Sequence, residues 1–231
     1  SPFSGGALLG DRIRMQEHAL DPGVYIRSMA SRGHLGGLSA ATPQAIRVLE
    51  AAGCATILVE TVGVGQSEVE IAGAADTTVV LLAPGMGDGI QAAKAGIMEI
   101  GDVFAVNKAD RDGADSTARE LRHMISLGTA AREGDWTPPV LQVIATKGDG
   151  VDQLAGAIEE HRAWLEHSGA GDTRRRERAG AEIQGIALAA LQVRFAAVGG
   201  DGALAGLAAD VAAGRLDAFT AADRIVAGLM G

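Results

Sequence analysis

Val103-Phe104-Ala105-Val106-Asn107-Lys108-Ala109-Asp110 is the stretch that decides how the rest of the chain is read. Its first five residues are a short, β-branched, apolar run, as expected of a strand covered on both faces. Polar residues follow at once, where that strand would end. Guanine presents an N1–H and an exocyclic amine side by side, and one carboxylate, that of Asp110, can accept from both. Adenine presents a different edge, which the same carboxylate disfavours. Asn107 can bond the N7 side of the purine and nearby loops, and the Lys108 stem can lie along the base face. A polar turn that merely ends a strand would use the same four residues, so the surroundings must decide.

Similar apolar runs occur at Ala55–Glu60, Thr77–Ala83 and Val140–Ala145. Helical patterns lie between them, at Pro43–Ala52, Gln66–Ala72, Ile90–Ile100, Ala114–Leu127 and Val151–Leu165. Strands alternating with helices predict right-handed crossovers and an α/β fold with a mostly parallel sheet flanked by helices. Ligands of such sheets sit at the carboxyl ends of the strands. The run Val140–Ala145 leads into Thr146-Lys147-Gly148-Asp149-Gly150. Here Ile144, Ala145 and Thr146 have the form of a second guanine-contacting loop, with a backbone N–H near Ala145 meeting the guanine O6. Ile144 stands where a Ser is usual. Glu60-Thr61-Val62-Gly63-Val64-Gly65-Gln66 closes the Ala55–Glu60 run. An acid there can hold Mg²⁺ through water. Gly63 would let a backbone N–H approach a terminal phosphate, and Gln66 is a candidate to aim a water. A Gly-rich turn would look the same in isolation; it is the order of the three loops on successive strands that is specific.

Other loops carry charge. Pro84-Gly85-Met86-Gly87-Asp88-Gly89 opens the helix bearing Lys94, and Asp88 and Lys94 are placed to respond to a nucleotide or a partner. Asp11 is either a helix N-cap or a second Mg²⁺-directed carboxylate. His34 suits a structural hydrogen bond better than a ligand role. No Cys/His cluster has zinc spacing, and no nucleophile motif suggests covalent catalysis.

The last third differs. Arg174–Phe195 reads as one long helix, followed by a Gly-rich break and shorter helices near Leu204–Ala213 and Thr220–Leu229, the last with Thr220 as N-cap. Residues 1–168 are therefore expected to form the α/β domain and residues 169–231 a helical segment, with a hinge over residues 166–172. The 231 residues are 47% hydrophobic but only 3% aromatic, so the core must be aliphatic. The net charge of −9 lies in the first 168 residues, which argues against nucleic-acid or anionic-membrane binding. The run Arg174-Arg175-Arg176-Glu177-Arg178 is the one basic cluster and reads as a solvated helix start. A single cysteine, Cys54, fits a reducing, cytoplasmic setting. No apolar stretch reaches the ~20 residues of a membrane span.

Ser1–Met15, Arg27–Gly37, Val59–Glu68, Pro84–Ile97 and Asn107–Asp110 together resemble the MeaB/ArgK family, over nearly the whole chain. The resemblance implies a P-loop GTPase that binds GTP/GDP and Mg²⁺ and whose partner is methylmalonyl-CoA mutase, with a role in adenosylcobalamin loading and protection of that enzyme. It places Ser4–Arg14 in a first switch with Asp11 near the metal, Glu60–Glu68 in a second, and Pro84–Ile97, including Lys94, in a third that reports to the mutase. It makes the helical tail a homodimerisation arm. Glu60, Gly63, Gln66 and Lys94 are then the residues expected to serve hydrolysis. The family's phosphate loop, Gly-x-x-x-x-Gly-Lys-Ser/Thr, is absent from these residues; it is expected upstream of Ser1, so the chain as it stands is expected to bind GTP poorly. Two other functions remain open: a transport-linked ATPase or kinase of the arginine/ornithine type, and a mutase-docking module indifferent to nucleotide. A nickel-insertion GTPase would need a Cys/His metal site that five scattered His and one Cys do not supply.

Overall fold

A computed structural model of the chain describes residues 15–18, 20–29, 41–61, 73–85, 98–128, 134–199 and 201–230. The chain divides into two compact units, residues 1–174 and 175–231. Helix α1 is Thr42–Ala51, strand β1 Val79–Leu82, and strand β2 Val103–Asn107. Helix α2 is Ala114–Gly128, strand β3 Val140–Val143, and helix α3 Val151–Ser168. Helix α4 is Ala170–Gly199, and the boundary between the units falls inside it. Helices α5, Asp201–Ala212, and α6, Ala218–Met230, complete the second unit.

The three strands form one parallel sheet in the order β1-β2-β3. The central strand is the most buried, and Val103, Phe104, Ala105 and Val106 are all fully buried. Side chains alternate between faces along a strand. Phe104 and Val106 meet Ala114, Ala118, Leu121 and Ile125 of α2, and Val140, in one core cluster. Those α2 positions recur at helical spacing, so the helix turns a single apolar stripe to the sheet. Each large aliphatic side chain on such a stripe contributes about 1.5–3 kcal/mol by leaving water. Helix α3 packs on β2 and β3 and buries Ala157, His161 and Leu165 at four-residue spacing.

The run Ala55–Glu60 is a correction to the sequence reading. It carries strand-type residues but joins no ladder among the described residues, and Leu58 is 87% exposed. Strand propensity expresses a fit to a pleated, half-buried surface, not a property of the segment alone. Without a paired neighbour its N–H and C=O groups have no ladder to enter. Of the other three strand expectations, Val103–Asn107 keeps its bounds, and two are shortened, Thr77–Ala83 to Val79–Leu82 and Val140–Ala145 to Val140–Val143. The expected helix at Gln66–Ala72 and the start of that at Ile90–Ile100 lie outside the described residues.

The stretch expected as a hinge, residues 166–172, is almost all helix. Helix α3 continues to Ser168 and α4 begins at Ala170, so only Gly169 separates them. Its φ of 74° is a conformation that costs glycine nothing. The N-cap of α6 is also corrected. Asp217, not Thr220, caps the helix: its Oδ1 accepts from the Thr220 N–H at 2.9 Å, and its other oxygen accepts from the Thr220 hydroxyl. These hydrogen bonds, the hydroxyl's first, hold the Asp217 carboxyl below its ordinary range.

Candidate functional site at the carboxyl end of the sheet

Strand β2 delivers its last residue, Asn107, opposite Val143 of β3. The Asn107 side chain then joins the two strand ends. Its Oδ1 accepts from the N–H of Lys108 at 2.8 Å and from the N–H of Ala145 at 3.2 Å. The Ala109 N–H donates to the carbonyl of Val143 at 3.1 Å. The turn after β2 is thus tied to the loop after β3 by a side chain and by backbone.

The turn itself is held in an uncommon shape. Lys108 has φ 58°, the one positive value at a non-glycine residue among those described. Left-handed backbone at a long side chain is costly and persists only where neighbours enforce it. Here the Asn107 oxygen fixes the Lys108 N–H, and the Lys108 carbonyl accepts from the Arg111 N–H at 3.0 Å. Lys108 and Asp110 are exposed, while Asn107 and Ala109 are half-buried. Asp110 makes no hydrogen bond or ion pair with another described residue. Its carboxylate borders an open depression of about 390 Å³ that also takes in Arg111, Gly113, Ser116 and Arg119.

The loop after β3 closes on itself. The Ile144 N–H donates to the Asp149 carbonyl at 2.9 Å and the Lys147 N–H to the Ile144 carbonyl at 2.9 Å. A backbone bridge between Ile144 and Asp149 therefore braces this loop, whatever the side chain at position 144. Ala145 and Thr146 stay exposed at its tip. Gly150 is required where it stands: a Cβ there would lie 2.3 Å from the Gln142 carbonyl oxygen, and its φ is 78°.

The structure brings together Asn107, Lys108, Ala109, Asp110, Ile144, Ala145 and Thr146 of the sequence reading. It does not bring Glu60 into the sheet of β1, β2 and β3; that residue is exposed at the end of the run Ala55–Glu60, which joins no ladder among the described residues. Asp11, Gly63, Gln66, Asp88 and Lys94 lie outside the described residues. No group of three or more His, Cys, Asp or Glu among the described residues could hold a metal ion. Mg²⁺ bound beside phosphates needs only one or two carboxylates, so a lone exposed Glu60 is compatible with it and no more. No described helix is long and apolar enough to cross a membrane.

At the opposite, amino end of the sheet lies a group that the sequence reading missed. Asp102, just before β2, accepts from the Thr78 N–H at 2.8 Å and from Arg174 at 2.8 and 3.1 Å. Arg174 is therefore not part of a solvated basic run, which corrects the reading of that cluster. His161 is fully buried beside Asp102 and forms a three-ring cluster with Trp136 and Trp164, whose own ring centroids lie 5.9 Å apart. The available signal was the placement of both Trp residues of a chain so poor in aromatics around a helical His.

Residues 1–199 match the family model described as methylmalonyl Co-A mutase-associated GTPase MeaB. An inferred GTPase of Pyrococcus abyssi is 49% identical over 232 residues, covering 100% of this chain and 72% of that protein. GTPase ArgK of Escherichia coli is 40% identical over 172 residues, 73% of this chain and 52% of its own length. The mitochondrial methylmalonic aciduria type A homolog of Mus musculus is 38% identical over 168 residues, 72% of this chain and 40% of its own. A crystal structure of a LAO/AO transport system kinase superposes with a TM-score of 0.59 at 26% identity, covering 82% of this chain and 62% of that one. The match thus spans between two-fifths and about three-quarters of these relatives' lengths.

Proposed function

The chain belongs to the MeaB family of methylmalonyl-CoA mutase-associated GTPases, and on that premise we propose that it binds and hydrolyses GTP and passes its nucleotide state to a methylmalonyl-CoA mutase during cofactor loading and protection. The observation that carries the nucleotide part is the Asp110 carboxylate, unengaged among the described residues and exposed on a turn whose shape Asn107 and the end of β3 fix in advance. A preorganised acceptor with no partner among the described residues is suited to a ligand with two adjacent donors. Lys108 lends the base its stem, and the tip at Ala145 and Thr146 flanks the purine's carbonyl side. In this reading Glu60 and Asp11 would hold Mg²⁺ through water, and the ion when bound would neutralise charge on the phosphates. Gly63 and Gln66 would serve the terminal phosphate, and Asp88 and Lys94 the partner. With no strong general base among these residues, intrinsic turnover should be low and rise with the partner bound.

The C-terminal helices are proposed to pair with a second copy. Ile183, Ile186, Leu188, Leu191 and Val193 of α4 are all more than half exposed, and apolar surface of that extent usually marks an interface.

Competition binding to the full-length protein tests the base assignment. GDP should outcompete ADP, and Asp110→Asn should abolish that preference. The Asn amide can donate to the C2 carbonyl of xanthine, so the variant should gain affinity for xanthosine diphosphate. Preference for ATP over GTP in the native protein would instead favour the transport-linked kinase suggested by the solved relative. Mutase capture that ignores nucleotide and survives Asp110→Asn would reduce the protein to a docking module.

A further inference from the structure

The buried group at the amino end of the sheet is not used by the nucleotide reading, and its geometry has a function of its own. The Asp102 side chain is 9% exposed and the His161 side chain 0%. Asp102 Oδ2 accepts from the Thr78 N–H and from Arg174 Nη1. Asp102 Oδ1 accepts from Arg174 Nη2 at 2.8 Å, and the same oxygen lies 3.4 Å from His161 Nε2. On the other side of the ring, His161 Nδ1 sits 2.8 Å from Thr77 Oγ1. An imidazole nitrogen facing a carboxylate oxygen is best placed carrying a proton. At 3.4 Å Nε2 makes no hydrogen bond of its own, and its position facing the carboxylate is the ground for assigning the neutral ring's hydrogen to it, with the Thr77 hydroxyl donating to Nδ1.

We propose that this group is a proton-operated latch on the first turns of α4: protonation of His161 makes it compete with Arg174 for Asp102 Oδ1 and loosens the start of the helix. The proton comes from solvent and adds to Nδ1. The Thr77 hydroxyl then turns from donor to acceptor, and apart from the new N–H no covalent bond is made or broken. Before that step one carboxylate faces one cation. After it, the same carboxylate faces two, in a site closed to water on the histidine side. Arg174 is the partner able to leave, because its side chain is 37% exposed. Asp76, on the segment leading to β1, is the other charge near the ring; its carbonyl accepts from Arg174 at 3.1 Å. Trp136 and Trp164 add no charge; they turn ring faces to the imidazole, while the Trp136 indole N–H donates to the Asp102 backbone carbonyl at 2.7 Å and that of Trp164 to the Gly134 carbonyl at 2.9 Å. Burial foremost, and then Arg174, hold His161 below its ordinary value of 6.5, against the opposite pull of Asp102 and Asp76. The latch is thus closed near neutrality and opens on acidification.

The chain carries its own reporter. Its two tryptophans have ring centroids 4.8 and 5.7 Å from that of His161, so an imidazolium there should quench intrinsic fluorescence. The experiment titrates the full chain downward from pH 8 while following fluorescence and, after correction for intrinsic rates, amide exchange over residues 173–178. A fluorescence transition below pH 6.5 should coincide with an increase of about tenfold in exchange at that helix start, relative to α3. Arg174→Gln removes the competing cation and should raise the fluorescence midpoint by about one pH unit, with the helix start already loose at neutrality. His161→Gln should abolish the transition and the pH dependence of exchange; if it fails to fold, Arg174→Gln alone decides. A fluorescence transition with no change in exchange overturns the latch. So does an Arg174→Gln midpoint that is unmoved or lower, or no transition before global unfolding.

Discussion

The two ends of β2 treat their polar residues in opposite ways. At the amino end Asp102 is buried and accepts three hydrogen bonds from Thr78 and Arg174. At the carboxyl end Asp110 is exposed and has no partner among the described residues. Both carboxylates border the same buried strand, so the difference reflects what each is for. A buried charge must be paired or it costs several kcal/mol. An exposed charge on a turn with an enforced backbone shape is free to meet something from outside. On the proposed reading, the contrast separates an acid that holds the fold from one that receives a ligand.

Removing the acid at each end should therefore damage different properties. Asp102→Ala strands the Thr78 N–H and the Arg174 guanidinium. It should cost about 3 kcal/mol of unfolding free energy, the lower end for breaking a buried pair because Arg174 can rehydrate. Urea denaturation measures this, and base preference should be unchanged. Asp110→Ala should do the reverse. Guanine nucleotide affinity should fall by about 1–3 kcal/mol, the usual worth of a two-donor base contact, with unfolding free energy within about 0.5 kcal/mol of native. Loss of stability at Asp110, or of base preference at Asp102, would erase the distinction.

Mild acid should act at the amino end. His161 is held below 6.5 by burial, so between 6.5 and its folded value the unfolded chain binds a proton that the folded chain refuses. Stability is fully present above 6.5 and falls as pH drops below it, by at most about 1.4 kcal/mol per pH unit for one group. Denaturation midpoints measured at several pH values should show this slope, and His161→Gln should flatten it. A slope that persists in the variant would mean that other groups dominate.

What could be read along the sequence was what short segments decide. The strands β2 and β3 and the helices α2 and α3 follow from apolar period and length, and the Asn-Lys-Ala-Asp turn sits where its strand ends. What could not be read was what depends on distant partners. The run Ala55–Glu60 has the residues of a strand, yet a strand exists only where another chain segment accepts its ladder. Nothing local distinguishes Arg174 from Arg175 and Arg176; only the approach of α4 to Asp102, 72 residues away, selects it. The His-Ser-Gly-Ala-Gly-Asp stretch looked like a flexible joint, but one left-handed residue, Gly169, suffices to separate two helices.

Asn107 belongs to both regimes, and its substitution gives the smallest and finest test. Its two internal partners, the N–H groups of Lys108 and Ala145, are both donors, so the oxygen must face inward and the amide nitrogen is left to face a ligand. Asn107→Ala removes an acceptor from two half-exposed donors that water can partly serve, and should cost about 1 kcal/mol of stability. Asn107→Asp keeps an oxygen for both donors but replaces the outward donor with an acceptor. It should therefore retain stability to within about 0.5 kcal/mol while still losing guanine nucleotide affinity. Chemical denaturation and nucleotide competition on the same pair of variants separate the two roles. Equal stability loss in both variants would mean that the nitrogen, not the oxygen, holds the two strand ends together.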